Sequence, residues 1–193
     1  TTYDSCTGPV DFGVLPSGPG TRRSGASASR RRVMTVIVQE FCERGTLRDA
    51  LDRSSHGLDL SHADYFRRVL KLSLDVANGM KHLSALGIVH ADLKAANILL
   101  QTVSSRHHHS TEGLGMVAKV ADFGLAQVLP SGMSEVTSGI HGTASHMPPE
   151  ALAGKRFSPA TDVFSYGVLL WELLTQANAF QGQAPHQVAE AVL

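Results

Sequence analysis

The segment His90-Ala91-Asp92-Leu93-Lys94-Ala95-Ala96-Asn97 places a carboxylate and an amide five residues apart, with a lysine between them. Such groups converge on one point if the loop that carries them folds back. Thirty residues after Asp92 comes Asp122-Phe123-Gly124, directly behind the apolar run of Val117–Val120. A carboxylate at a strand end is a natural ligand for a divalent cation, and the following glycine lets the chain turn sharply there. Taken as a set, these residues suit phosphoryl transfer. Asp122 and Asn97 would hold Mg²⁺ on the phosphates, Lys94 would offset charge on the moving phosphoryl, and Asp92 would orient the attacking hydroxyl. Singly they say little. A lone Asp92 reads as a surface carboxylate, a lone Asp122 as a loop cap and a lone Asn97 as a turn residue.

The surrounding pattern supplies elements to hold them. Val33–Gln39 is β-branched and apolar and predicts a buried strand. Thr46 can N-cap a short helix with Leu47, Ala50 and Leu51 on one face. Ser61 and Asp64 form a shortened capping box ahead of a long helix. Phe66, Val69, Leu70, Leu74, Ala77, Met80 and Leu83 follow at spacings of three and four, and predict its buried face. Gly87 suits the turn behind it. Ile88–Val89, Ile98–Leu100 and Met116–Val120 predict short strands, with a polar insert over Gln101–Gly115. Ser158-Pro159 starts a second helix, to about Thr175. Its apolar residues Val163, Phe164, Val168, Leu170, Trp171 and Leu174 predict a central, buried helix. A last helix begins near Pro185.

Composition bounds the reading. The 193 residues are 42% hydrophobic and 18% charged, enough to bury a core, which argues against a wholly disordered chain. Formal net charge is zero, which disfavours nucleic acid or an anionic membrane as main partner. Two cysteines cannot build a disulfide framework. No apolar run approaches the ~18 residues of a membrane span. The zero hides an asymmetry. Residues 1–32 carry five arginines against two aspartates, and residues 33–193 carry 12 basic against 15 acidic side chains. Rich in glycine, proline and serine, residues 1–32 read as a disordered leader. Residues 33–193 read as the folded part.

With its elements in place, the chemical set resembles the protein kinases. The family's H-R-D-L-x-x-x-N loop stands here as His90 to Asn97, with Ala91 for the arginine. D-F-G is intact at 122–124. Gly142-Thr143 with Met147, Pro149 and Glu150 matches G-T-x-x-x-M-x-P-E, and Asp162-Val163-Phe164-Ser165-Tyr166-Gly167 resembles D-V-W-S-F-G. Glu40 to Leu47 resembles the hinge that pairs with adenine. The resemblance implies an α+β kinase fold, mainly its helical C-terminal lobe, with ATP and Mg²⁺ as cofactors. It implies Asp92 and Lys94 as catalytic residues, Asn97 and Asp122 as metal ligands, and Glu40, Cys42 and Leu99 as the nucleotide site. Asp162 would accept hydrogen bonds from the catalytic-loop backbone, and His90 and Phe123 would pack in the hydrophobic spine. Lys94 and Thr143 resemble the serine/threonine-directed form, and the hinge and Ala95-Ala96 the tyrosine-kinase-like group. The partner implied is a protein substrate, phosphorylated on serine or threonine, with a cytoplasmic location.

Two family features are missing. The first lysine is Lys71, inside the long helix, so no strand lysine precedes the hinge. Gly18-Pro19-Gly20 begins a glycine pattern without completing it. The N-terminal lobe is therefore expected to be largely absent. Because Asp92, Lys94, Asn97 and Asp122 are all filled as the chemistry requires, a fragment of an active serine/threonine kinase is the favoured reading; a pseudokinase that binds partners without catalysis, and tyrosine or dual specificity, are the alternatives. Gln39 aligns with the residue guarding the pocket behind adenine. Cys42 reads as a small packing residue before a reactive thiol. His107-His108-His109 reads as solvated loop before metal site.

Overall fold

A computed structural model describes residues 39–54, 62–102, 115–139 and 141–193. The chain divides into two compact units, Thr1–Phe41 and Cys42–Leu193. Only 39–41 of the first unit are described; Gln39, Glu40 and Phe41 there have irregular, exposed backbone. The leader at 1–32, most of the strand expected at Val33–Gln39, the Ser61 cap and the three histidines at 107–109 lie outside the described residues.

The second unit is an α+β assembly. Helices α1 (Leu47–Ser54) and α2 (His62–Ala85) are followed by strands β1 (Ile88–Val89), β2 (Ile98–Thr102), β3 (Met116–Val120), β4 (Gln127–Val128) and β5 (Val136–Thr137), then by α3 (Pro149–Gly154), β6 (Arg156–Phe157), α4 (Pro159–Thr175) and α5 (Pro185–Val192). The strands pair antiparallel as β1 with β4, β2 with β3, and β5 with β6. The helix starts expected at Thr46 and at Ser158 hold. Thr46 Oγ1 accepts from Asp49 N–H while Asp49 Oδ2 accepts from Thr46 N–H, a reciprocal cap on α1. Ser158 Oγ accepts from Ala160 N–H at the start of α4. Gly87, at φ +68°, makes the turn that ends α2. β2 runs two residues beyond its expected end, so Gln101 and Thr102 belong to the hairpin and not to the polar insert. Their partners across the ladder are Val117 and Met116.

The main core gathers Leu47, Leu51, Val69, Leu72, Val76, Leu93, Ile98, Leu100, Leu169 and Leu173. Each such side chain contributes about 1.5–3 kcal/mol through burial. The core corrects the face expected of α2. Phe66, Leu70 and Leu74 are 53, 53 and 57% exposed, whereas Val69, Leu72, Ser73 and Val76 are buried. Helical spacing admitted two overlapping apolar stripes, and packing on β3 and α4 chose the one that carries a serine. The same applies to α4. None of the apolar residues expected inside it is fully buried; Val163 is 69% and Trp171 47% exposed. Its buried face is Thr161, Asp162, Ser165, Leu169, Glu172 and Leu173. Polar groups can occupy that face because each has a partner. Ser165 Oγ donates to His146 O at 2.7 Å, and Glu172 accepts from Arg48 at 3.1 Å and from Ala179 N–H at 3.0 Å.

Candidate active site

The loop after β1 is held in place by α4. Ala91 has φ +66°, a left-handed conformation that costs a residue with a Cβ roughly 1–2 kcal/mol. Asp162, at the start of α4, offsets this cost. Its two carboxylate oxygens accept from His90 N–H at 2.8 Å and Ala91 N–H at 3.0 Å. Hydrogen bonds to a charged acceptor are the stronger kind. Burial raises the Asp162 carboxyl above its ordinary range, against the lowering by those two N–H groups. His90 is fully buried. Its Nδ1 accepts from Asp92 N–H at 3.3 Å and its Nε2 faces Ala121 O at 3.0 Å, which together place the ring proton on Nε2. The ring also stands 5.4 Å from that of Phe123. Phe123 itself is 46% exposed, so it is only partly the packing residue expected.

The loop so bent presents Asp92, 7% exposed, to three side chains. Lys94 Nζ lies 2.7 Å from Asp92 Oδ2. Thr143 Oγ1 donates to Asp92 Oδ1 at 2.8 Å and accepts from Lys94 Nζ at 2.7 Å. Asn97 Nδ2 donates to the Asp92 backbone carbonyl at 2.8 Å and to Oδ2 at 3.1 Å. Burial alone would raise the Asp92 carboxyl. The bonds from Lys94 and Thr143, the lysine charge and the Asn97 bond outweigh it, and the carboxyl sits below its ordinary range. Thr143 is the member of this cluster that sequence reasoning missed. It was noticed only as a marker of acceptor class, although its hydroxyl closes the ring between lysine and aspartate. Gly142 admits it. At φ +111°, a Cβ on Gly142 would stand 2.8 Å from Ala91 O.

The structure thus brings Asp92, Lys94 and Asn97 together. Asp122 is carried to the same end of the β2–β3 hairpin, where Ala121 N–H donates to Asn97 O at 2.9 Å. Its side chain is exposed and bends onto Gly124 N–H at 3.2 Å, at φ +63°. No bond joins it to Asn97 or Asp92 among the described residues. The donors nevertheless fit Mg²⁺. Asn97 spends its NH₂ group on Asp92, which leaves its carbonyl oxygen as an acceptor, and Asp122 adds a carboxylate. Both are hard oxygen ligands of the kind this ion takes. Among the described residues no three His, Cys, Asp or Glu side chains cluster to hold a metal without help.

The three residues of the expected nucleotide site fall in both units. Glu40 is exposed and belongs to the first unit. Cys42 and Leu99 are half-buried in the second. The chain after Cys42 runs beside β2. Arg44 N–H donates to Leu100 O, Leu100 N–H donates to Gly45 O, and Thr46 bridges to Leu99.

Comparison with known proteins agrees with this geometry. The sequence model of the protein tyrosine and serine/threonine kinase family matches residues 23–193. Serine/threonine/tyrosine-protein kinase HT1 of Arabidopsis thaliana is 34% identical over 166 residues, which is 86% of this chain and 38% of that protein. Serine/threonine-protein kinase STY17 of the same plant is 37% identical over 168 residues, covering 86% of this chain and 26% of that protein. Proto-oncogene serine/threonine-protein kinase mos of Mus musculus is 33% identical over 163 residues, 82% of this chain and 44% of that protein. The chain therefore spans less than half the length of these relatives. With motifs, loop geometry and family match in agreement, the chain belongs to the protein tyrosine and serine/threonine kinase family.

Proposed function

We propose that this chain carries the catalytic loop and metal ligands of an ATP-dependent protein serine/threonine kinase. The observation that supports this most is the Asp92 carboxylate, buried, kept ionised, and held by Lys94, Thr143 and Asn97. An ionised carboxylate at this point orients the attacking hydroxyl of a protein substrate and accepts its proton. Lys94 faces the same point and would offset charge on the transferred group. Asn97 Oδ1 and Asp122 would hold Mg²⁺. ATP with Mg²⁺, when bound, supplies the phosphoryl group and neutralises its charge. Cys42 and Leu99, on adjoining stretches of the second unit, would line the adenine end.

The acceptor class rests on Thr143 and Lys94, and on relatives whose names carry serine/threonine, one of them with tyrosine added. Residues 1–32 would form a linker-like leader to a kinase part at 33–193, in a cytoplasmic setting. No helix among the described residues is long and apolar enough to cross a membrane. Phosphoamino-acid analysis of a protein substrate labelled by the product of the reading frame that contains this chain tests the acceptor class. Phosphoserine or phosphothreonine is expected; phosphotyrosine alone would contradict it.

A further inference from the structure

A cavity lies away from Asp92, with none of the loop at 90–97 in its lining. It has a volume of about 340 Å³, within the range of ligand sites. It opens between α2 and the far end of the β2–β3 hairpin. Leu72, buried, and Met116, half-buried, form its apolar floor. Three cations from two separate stretches ring it: Arg44 ahead of α1, and Arg68 and Lys71 on α2. No acidic side chain lines it among the described residues. The carboxylates nearby are already engaged. Asp75 binds Lys71 at 2.5 Å and also accepts from Ala118 N–H, and Glu43 accepts from Thr102 N–H at 2.6 Å. Among the described residues the Arg44 guanidinium makes a hydrogen bond from Nε to Thr102 Oγ1 at 2.9 Å, and its charge also acts on the neighbouring Glu43. The side chain of Arg68, a half-buried residue, has no ion pair or hydrogen bond among the described residues.

We propose that this cavity binds an extended acidic peptide segment of a protein partner, with apolar side chains on Leu72 and Met116 and carboxylates on Arg68 and Arg44. A compact anion such as phosphate wants donors that converge on one point. Here the cations come from two separate stretches of chain and share the cavity with Leu72 and Met116, a mixed lining that suits side chains alternating along an extended chain. Thr102 is four residues along β2 from Ile98, about 13 Å from the hairpin end that carries Asn97. A partner held at the cavity leaves the catalytic loop clear. The binding does not depend on phosphoryl transfer, so it is testable apart from the proposed activity.

The test is fluorescence anisotropy of the whole 193-residue chain with a labelled peptide of alternating leucine and aspartate. A peptide of alternating leucine and lysine is the control. The acidic peptide should bind saturably and the basic one should not. Arg68→Glu should weaken binding by about tenfold or more, and Arg68→Lys by less than about threefold, with the helical circular dichroism signal unchanged. Arg44→Gln, the second variant, should weaken it severalfold. Equal binding of the two peptides, or unchanged affinity in both Arg68→Glu and Arg44→Gln, would overturn the proposal. Displacement of the peptide by millimolar inorganic phosphate at constant ionic strength would reassign the cavity to a small anion and overturn it too.

Discussion

At the residue scale the centre turns on how Asp92 is kept ionised. Its carboxyl lies below the ordinary range despite burial, because Lys94, Thr143 and Asn97 all favour the charged form. The sign of the pH effect follows. The stability and reactivity that this carboxylate contributes are fully present above its unfolded value, about 3.9, and are lost as pH falls through the lowered folded value. The acid limb of kcat/KM due to Asp92 should therefore lie below about pH 4. A limb near pH 6 that vanished in Asp92→Asn would contradict this assignment. Ala91 makes a second prediction. With alanine there, the loop at 90–97 offers no guanidinium from that position to a phosphate on Ser131, Ser134, Thr137 or Ser138. The segment is held without one, by the β5–β6 pair and by Ser138 N–H on Lys155 O at 3.1 Å. Thr137→Ala should change kcat by no more than about twofold, as for an ordinary surface position. A loss of orders of magnitude would show a phosphate switch working through that loop. Asp92, Lys94 and Asn97 were legible in the sequence because all lie in one short loop. Thr143 was not, because its partners are 49 and 51 residues away.

At the scale of elements, the site depends on two contacts with the Ala91 turn. Asp162→Asn leaves one oxygen where two N–H groups donate and turns an NH₂ group toward the other. It should cost about 1–3 kcal/mol, read as a lower urea midpoint. Gly142→Ala forces a Cβ onto Ala91 O and a side chain into the left-handed region, and should cost about 2 kcal/mol or more. A midpoint unchanged by either substitution would mean that the turn is not held this way. Helix boundaries were legible because their signals are local: Thr46 ahead of α1, Ser158 with Pro159, Gly87 behind α2. The buried faces of α2 and α4 were not. Apolar residues on α2 outnumber those the core can take, and the face of α4 turned inward is polar. Only the tertiary partners of Asp162, Ser165 and Glu172 make that orientation favourable.

At the scale of the whole chain, the comparisons and the loop geometry point to one family. Apolar surface remains open on the described residues of α2 and α4, with Phe66, Leu70, Leu74, Val163 and Trp171 all near half exposed or more. Exposed apolar side chains lower solubility where they form a contiguous patch. The position of the lysines was the most telling sequence signal at this scale. None precedes Lys71, so a phosphate-anchoring strand lysine is not among these 193 residues. The decisive measurement is transfer of the γ-phosphoryl of ATP to a protein substrate by the product of the containing reading frame, compared with its Asp92→Asn variant. The account predicts transfer in the parent and its loss in the variant, by about 10³-fold or more if Asp92 is the base, with nucleotide affinity nearly unchanged. Undiminished turnover in Asp92→Asn, or nucleotide binding without any transfer in the parent, would contradict it.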